Sequence, residues 1–185
     1  MQFYDVVENR VSVKKYKNIP LKQDKLARMI NAAMMSPSWK DKSSYKFLLV
    51  DDQLKKEELS KTVINDTTEA SNAIAEAPMV AVVVADPASS GVVADRQYYL
   101  VDSAIAMEHF VLAATNEGYG TCWIASIDED KIREILSIPN DYRVVAMTPI
   151  GEGTEIKGHN PKKNVNDYVF VNKWNTPFTN QGLRS

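Results

Sequence analysis

The sequence predicts a single domain in which helices and strands share one core, and three observations carry that expectation. Met79 to Ala85 (MVAVVVA) is an unbroken apolar run rich in β-branched residues, the pattern of a strand buried on both faces. Asp102 to Ser126 joins an unusually apolar helix, with apolar residues on every side from Ala104 to Ala114, to a turn marked by Gly118 and Gly120 and a short strand over Thr121 to Ala125. The length, 185 residues, is that of one ordinary domain with a sizeable core.

In chain order, Phe3 to Glu8 reads as a short amphipathic helix and Asn9 to Lys17 (NRVSVKKYK) as an extended segment before a turn at Pro20. Residues two apart in an extended chain share a face, so Arg10, Ser12 and Lys14 point one way while Val11 and Val13 point into the core. This basic face has two readings. It is a phosphate grip, combining a guanidinium, a hydroxyl and an ammonium, or a solvated edge strand whose charges discourage aggregation. Gln23 to Met35 carries a helical repeat with Leu26, Met29, Ile30, Ala33 and Met34 on one face, stopped by Ser36-Pro37-Ser38. The loop Ser36 to Ser44 is polar except for Trp39, which either forms a lid or stacking surface or caps the edge of the core. Tyr45 to Val50 reads as a strand, Asp52 to Lys61 as a charged helix, and Asp66 to Glu76 as a weaker helix ended by Ala77-Pro78. Pro87 to Gly91 is a turn, after which the central helix can start as early as Val92. Asp128 to Leu136 is a surface helix capped by Asp128, and Arg143 to Ile150 a further strand. From Gly151 onward regular periodicity fades, and the large aromatics Trp174 and Phe178 predict a tail laid over another surface.

Composition narrows the chemistry. A formal net charge of -2 gives no global attraction to nucleic acid or to an anionic membrane. The apolar helix is too short, and too interrupted by Glu108 and His109, to cross a bilayer. A single cysteine, Cys122, excludes an internal disulfide, and with no signal-peptide pattern at Met1 a cytoplasmic, reducing setting is expected. Cys122 lies in an apolar strand and reads as a packing residue. His109 and His159 are far apart, which argues against a dedicated metal site, and His109 is expected to satisfy its ring within the helix layer. No dinucleotide-binding glycine fingerprint, P-loop or nucleophile elbow is present, so redox or transfer chemistry here calls for a cofactor.

Three blocks resemble the nitroreductase family of FMN-dependent NAD(P)H oxidoreductases. Arg10-Val11-Ser12-Val13-Lys14 is similar to the N-terminal R-x-S-x-[RK] element that in the family holds the FMN phosphate and reaches the pyrimidine edge of the flavin. Ala33 to Val50 resembles the family's P-S-x-x-N-x-Q-P-W segment at Pro37-Ser38, with Asp41 in place of its asparagine, Ser43 in place of its glutamine and Ser44-Tyr45 in place of Pro-Trp. Asp102, Leu112-Ala113-Ala114, Gly118-Tyr119-Gly120 and Thr121-Cys122-Trp123 resemble the family's central helix and the turn beneath the isoalloxazine. Lys162 and Lys163 fall where the family usually places a basic phosphate contact.

The resemblance implies an α+β sandwich, helices around a mainly antiparallel mixed sheet, working as an intertwined homodimer with FMN at the interface. FMN is the implied cofactor. Arg10, Ser12 and one of Lys162 or Lys163 would hold its phosphate, since a dianion needs several converging donors. Val11, Pro37, Ser38, Trp39 and Asp41 would also contact the cofactor, and backbone N–H groups from Gly120, Thr121, Cys122 and Trp123 would face N5. Lys14, near N1 and O2, would stabilise charge by electrostatics, with no side chain acting as catalytic acid or base. An aspartate at position 41 can accept from the flavin N3–H but not donate to a carbonyl, and Trp39 would narrow the pocket. The implied activity is hydride transfer from NADH or NADPH through FMN N5 to an electron-poor acceptor such as a nitroaromatic or quinone, by a ping-pong scheme. The alternative is a non-catalytic flavin-binding or flavin-handling protein, to which Trp39 and the altered loop point. The apolar helix and the tail from about 160 to 185 would then lie against, and over, a partner subunit.

Overall fold

Burial of strand β2 (Met79–Ala85) on both faces decides the layer order of the structure, a computed structural model that describes residues 1–155, 158 and 163–178. Its side chains alternate between two cores. Ala81, Val83 and Ala85 share one with Met29 of helix α2 (Gln23–Met34) and with Met107 and Phe110 of helix α5 (Tyr98–Asn116). Val80, Val82 and Val84 share the other with Leu59 of α3 (Gln53–Ser60), Ile74 of α4 (Glu69–Glu76) and Ile132 of α6 (Glu129–Leu136). Alanines on the α5 side, met by Ala106 and Ala114 of the helix, let α5 lie close to the sheet.

Because neither face of β2 reaches water, its backbone groups must be satisfied by strands on both edges. It pairs antiparallel with β1 (Tyr45–Val50) and with β6 (Arg143–Gly151), the second register shifting once between Val83 and Val84. β5 (Gly120–Thr121) adds to β6, giving the order β1-β2-β6-β5. A parallel bridge from Ser12 to Thr121 and an antiparallel one from Tyr16 to Gly153 fix the N-terminal segment to the same edge. The result is the α+β sandwich, mainly antiparallel, that the family resemblance implies.

Helices α1 (Phe3–Asn9), α2, α3 and α6 fall within a residue or two of expectation, and Asp52 and Asp128 each accept from a backbone N–H in the first turn of their helices. Several expectations shift. The central helix starts at Tyr98 rather than Val92, because residues 92–97 form a hairpin, β3 (Val92–Val93) and β4 (Arg96–Gln97). Ala94 and Asp95 make its tight turn, both left-handed at φ 47° and 64°. Thr121 to Ala125 is not one continuous strand: the Cys122 N–H turns to Thr148 Oγ1 at 3.0 Å, and pairing resumes at Ile124 and Met147. α4 begins at Glu69, not Asp66, and Met34 of α2 is exposed rather than buried. Nor is α5 buried all round within one chain, since Ala104 and Glu108 are exposed, and before them Leu100 and Val101 are 46% and 48% exposed. His109 does sit in the helix layer, its Nδ1 3.2 Å from the Ala32 carbonyl. A four-residue helix, α7 (Val165–Tyr168), opens the C-terminal segment, in which Trp174 is exposed. Among the described residues no helix is long and apolar enough to cross a membrane, and no cluster of three or more His, Cys, Asp or Glu is placed to hold a metal. His159 and Lys162 lie outside the described residues.

The two glycines of the turn after α5 serve different ends. Gly118 ends the helix in the left-handed conformation at φ 84°. Gly120 is there for space, because a Cβ would stand 2.5 Å from Val13 Cγ2. Gly120→Ala should therefore push the N-terminal segment off the sheet edge, costing about 1–3 kcal/mol as overpacking does. Chemical denaturation of the variant against the parent checks this: a loss of less than about 0.5 kcal/mol, the range of an ordinary surface substitution, would sink the idea.

At the other end, Glu129 accepts from Arg143 Nε at 2.7 Å, Arg143 Nη2 at 2.8 Å and the Val144 N–H at 3.0 Å. The Arg143 bond first, and then the Val144 bond and the surrounding arginines, hold its carboxyl below the ordinary range despite burial. A depressed folded pKa means stability present above the unfolded value and lost as pH falls through the folded one. Glu129→Gln should thus cost about 1–2 kcal/mol at neutral pH, and the gap from the parent should close as pH drops below the free glutamate value of about 4.3. Unfolding curves at pH 7 and pH 3 measure it.

Candidate functional site

The site starts from an alternation. Arg10 leaves α1 in an extended conformation, and the chain stays extended through Lys14. Val13 is 4% exposed and its N–H donates to the Thr121 carbonyl at 2.8 Å, so Ser12 and Lys14 must face the other way. Val11 is half-buried against the small cluster of Val13, Tyr16, Ala73 and Ala77. At about 6.6–6.8 Å per two residues, the row from Arg10 to Lys14 spans about 13 Å.

Ser12 and Lys14 form one wall of a cavity of about 200 Å³, and Glu69, Asn72 and Glu76 of α4 form the other. Lys15 and Glu155, paired at 2.9 Å, close one end. The Lys14 ammonium meets the Glu69 carboxylate at 2.5 Å, and that hydrogen bond raises the pKa of Lys14 against the opposing effect of burial. Two lysines face three carboxylates here, so this cavity suits a polar ring edge better than a phosphate dianion. Arg10, at the start of the row, lines none of this cavity and lies within electrostatic reach of both Cys122 and Glu108 of α5. Partial burial raises the pKa of Glu108, and the Arg10 charge pulls against the rise. Neither Glu69 nor Asn72 was visible as a site residue in the sequence; α4 reads as a weak polar helix, and only the closed fold brings it opposite Lys14.

The turn beyond α5 makes the floor. Tyr119 is buried, its hydroxyl accepting from the Lys22 N–H at 2.9 Å, and Thr121 and Cys122 are buried beside it while Trp123 is exposed. Burial pushes the Cys122 thiol up, with Lys14, Ser12 and Arg10 acting in the opposite sense, so the side chain stays a neutral packing group. Since the Cys122 N–H is spent on Thr148, it is withdrawn from the amides expected to face a ligand.

The loop block is held elsewhere. Asp102 of α5, 1% exposed, accepts from the Trp39 N–H at 2.7 Å and from the Ser44 and Ser90 hydroxyls at 3.2 and 3.3 Å. The Trp39 ring stacks on Tyr98 at 5.1 Å and lies flat against Gly91, where a Cβ would come within 2.2 Å of it. Within one chain Trp39 is seated on Tyr98 and Gly91. It narrows no pocket around Ser12 and Lys14, because it packs on the 91–98 hairpin. Pro37 and Asp41 are exposed, and the Ser38 hydroxyl accepts from the Ser43 N–H at 2.8 Å. Lys40, Asp41 and Ser43 all take left-handed φ, between 46° and 56°, a concentration of unfavourable backbone that functional loops often carry.

Within one chain the turn after α5 meets the Ser12 to Val13 segment and Asp102 holds the loop, but the loop and the Arg10 to Lys14 row line no common cavity. Asp102, which anchors the loop, and Glu108, which feels Arg10, are six residues apart on α5, about 9 Å along the axis and about 120° round it. The cavity beside Lys14 is lined by none of Pro37, Ser38, Trp39 or Asp41. Lys163 is exposed with its ammonium over the Tyr168 ring at 4.9 Å, also away from that cavity.

Comparison with known proteins agrees with this fold. A solved nitroreductase family protein from Clostridium novyi NT is 46% identical, covers 96% of this chain and 97% of its own, and superposes with a TM-score of 0.82. A solved structure from Clostridium difficile R20291, described as an FMN-dependent nitroreductase, is 28% identical over 91% of this chain and 98% of its own, with a TM-score of 0.79. A Methanothermobacter thermautotrophicus protein named a putative NADH dehydrogenase/NAD(P)H nitroreductase is 25% identical over 94% of this chain and 88% of its own length. The nitroreductase family profile matches residues 7–152, a span that runs from the Arg10 segment through the central helix to the end of β6, and the chain belongs to the nitroreductase family.

Proposed function

We propose that the chain is an FMN-dependent NAD(P)H oxidoreductase, one FMN-binding domain per subunit of a homodimer. The observation that carries this reading is the outward row of Arg10, Ser12 and Lys14, locked in direction by the buried Val13. The donor set fits a flavin mononucleotide. Guanidinium and hydroxyl at one end suit a phosphate, to be joined by Lys162 or Lys163 from the tail. A lysine at the other end suits the pyrimidine edge. Bound FMN would supply the redox chemistry, carrying hydride from NAD(P)H to an electron-poor acceptor such as a nitroaromatic or a quinone. One open face used by both substrates in turn gives ping-pong kinetics. The descriptions of the Clostridium difficile and Methanothermobacter relatives support both the cofactor and the reductant.

A second subunit answers two features of the single chain. The exposed Leu100 and Val101 of α5 are an apolar surface in need of cover, and the Pro37 to Asp41 loop is held on a flank of α5 away from Lys14. A partner packed along α5 would cover the first and bring its own loop to the flavin, and the Trp174 segment would reach over it.

The purified protein should be yellow or become so with added FMN, and should oxidise NADH or NADPH when a nitrofuran or quinone is supplied. Bound flavin without turnover would favour a flavin-handling protein instead. Arg10→Ala should weaken FMN retention about tenfold or more, as loss of a charge-assisted contact costs about 1.5–3 kcal/mol, with the unfolding midpoint unchanged. Equal flavin affinity in parent and variant, read by fluorescence titration, would remove Arg10 from the phosphate grip.

A further inference from the structure

We propose that Glu69 is a positioning residue for Lys14, a built-in counter-charge that limits how strongly this chain favours reduced over oxidised flavin. The inference rests on the FMN reading above and concerns a residue outside the three blocks that carry it. Its first support is geometric: the Glu69 carboxylate is 2.5 Å from the Lys14 ammonium, and both line the cavity that Ser12 opens. Both partners stand on fixed backbone. Lys14 follows the buried Val13, and Glu69 is the first residue of α4, which buries Ala70, Ala73 and Ile74. A carboxylate in the first turn of a helix is favoured by the N-terminal end of the helix dipole. The neighbouring lysine has its own partner, because Lys15 pairs with Glu155, and Glu69 is therefore the carboxylate in contact with Lys14.

The chemistry follows from charge. Hydride leaving NAD(P)H carries two electrons and one proton, leaves an oxidised pyridine nucleotide, and adds one negative charge to the ring system that takes it. Lys14, facing the pyrimidine edge, favours that added charge; Glu69, touching Lys14, offsets part of the favour. In the open chain the pair is 33% and 47% exposed and screened by water, so its own contribution to folding is small. A planar ring laid over the cavity would displace that water and strengthen both effects together. Glu69 would thus slow hydride acceptance and speed hydride donation to the acceptor.

The test uses the full chain with FMN, comparing parent, Glu69→Gln and Glu69→Asp, each also in a Lys14→Met background. Dissociation constants are measured for oxidised FMN and, under anaerobic dithionite, for reduced FMN. Glu69→Gln should raise the preference for reduced FMN about tenfold, equivalent to about +30 mV for a two-electron couple. It should also speed flavin reduction by NAD(P)H and slow reoxidation by a quinone. Glu69→Asp, which keeps the charge, should stay near the parent, and the Gln effect should vanish with Lys14→Met. A Glu69→Gln ratio within twofold of the parent, or an equal shift without Lys14, would overturn the proposal while leaving the FMN reading intact. A parent chain that binds neither form of FMN would overturn both.

Discussion

A strand with no solvent on either face can discharge its backbone polarity only sideways, and that constraint on β2 organises the molecule. It forces a paired neighbour on each edge, β1 and β6, and an apolar layer above and below. The helices divide accordingly, α2 and α5 to the alanine side and α3, α4 and α6 to the valine side. β6 then runs on to seat β5, and β5 receives the Ser12 to Val13 segment. The candidate site is the outermost consequence of this chain of pairings: its charged row stands at the edge of a ladder that begins in the driest part of the protein.

This arrangement separates rigidity from chemistry. Val13 and Gly120 interlock so tightly that the backbone of residues 10–14 has little freedom, while the side chains it presents face a partly open cavity. The loop containing Trp39 is held with comparable firmness, by a buried carboxylate, an aromatic stack and the Lys42 ammonium on the Ser90 carbonyl. Such a preset frame fixes geometry before any ligand arrives.

Much of the fold was legible in the sequence because burial on two faces leaves an unmistakable trace in the run from Met79 to Ala85, and a capping aspartate, Asp128, announces α6. The direction of Arg10, Ser12 and Lys14 was legible for the same kind of reason, two-residue periodicity around a buried valine. What escaped depends on contacts between distant residues. The break after Thr121 arises from the Thr148 side chain, and the Lys14 to Glu69 pair closes across 55 positions. The 92–97 hairpin was hidden because Ala94-Asp95 lacks the glycine or asparagine that usually marks a turn of this hand. The central helix looked wholly buried because its apolar residues encircle it, and a sequence does not distinguish cover by one's own chain from cover by another.

The berth of Trp39 on Gly91 has an evolutionary consequence. An indole this close to a backbone leaves room for no side chain at all, so position 91 is constrained to glycine for as long as position 39 is a tryptophan. Conversely, a lineage that replaces the tryptophan with a small residue releases position 91 to vary. The dependence runs one way: a tryptophan at 39 requires glycine at 91, whereas glycine at 91 tolerates a smaller residue at 39.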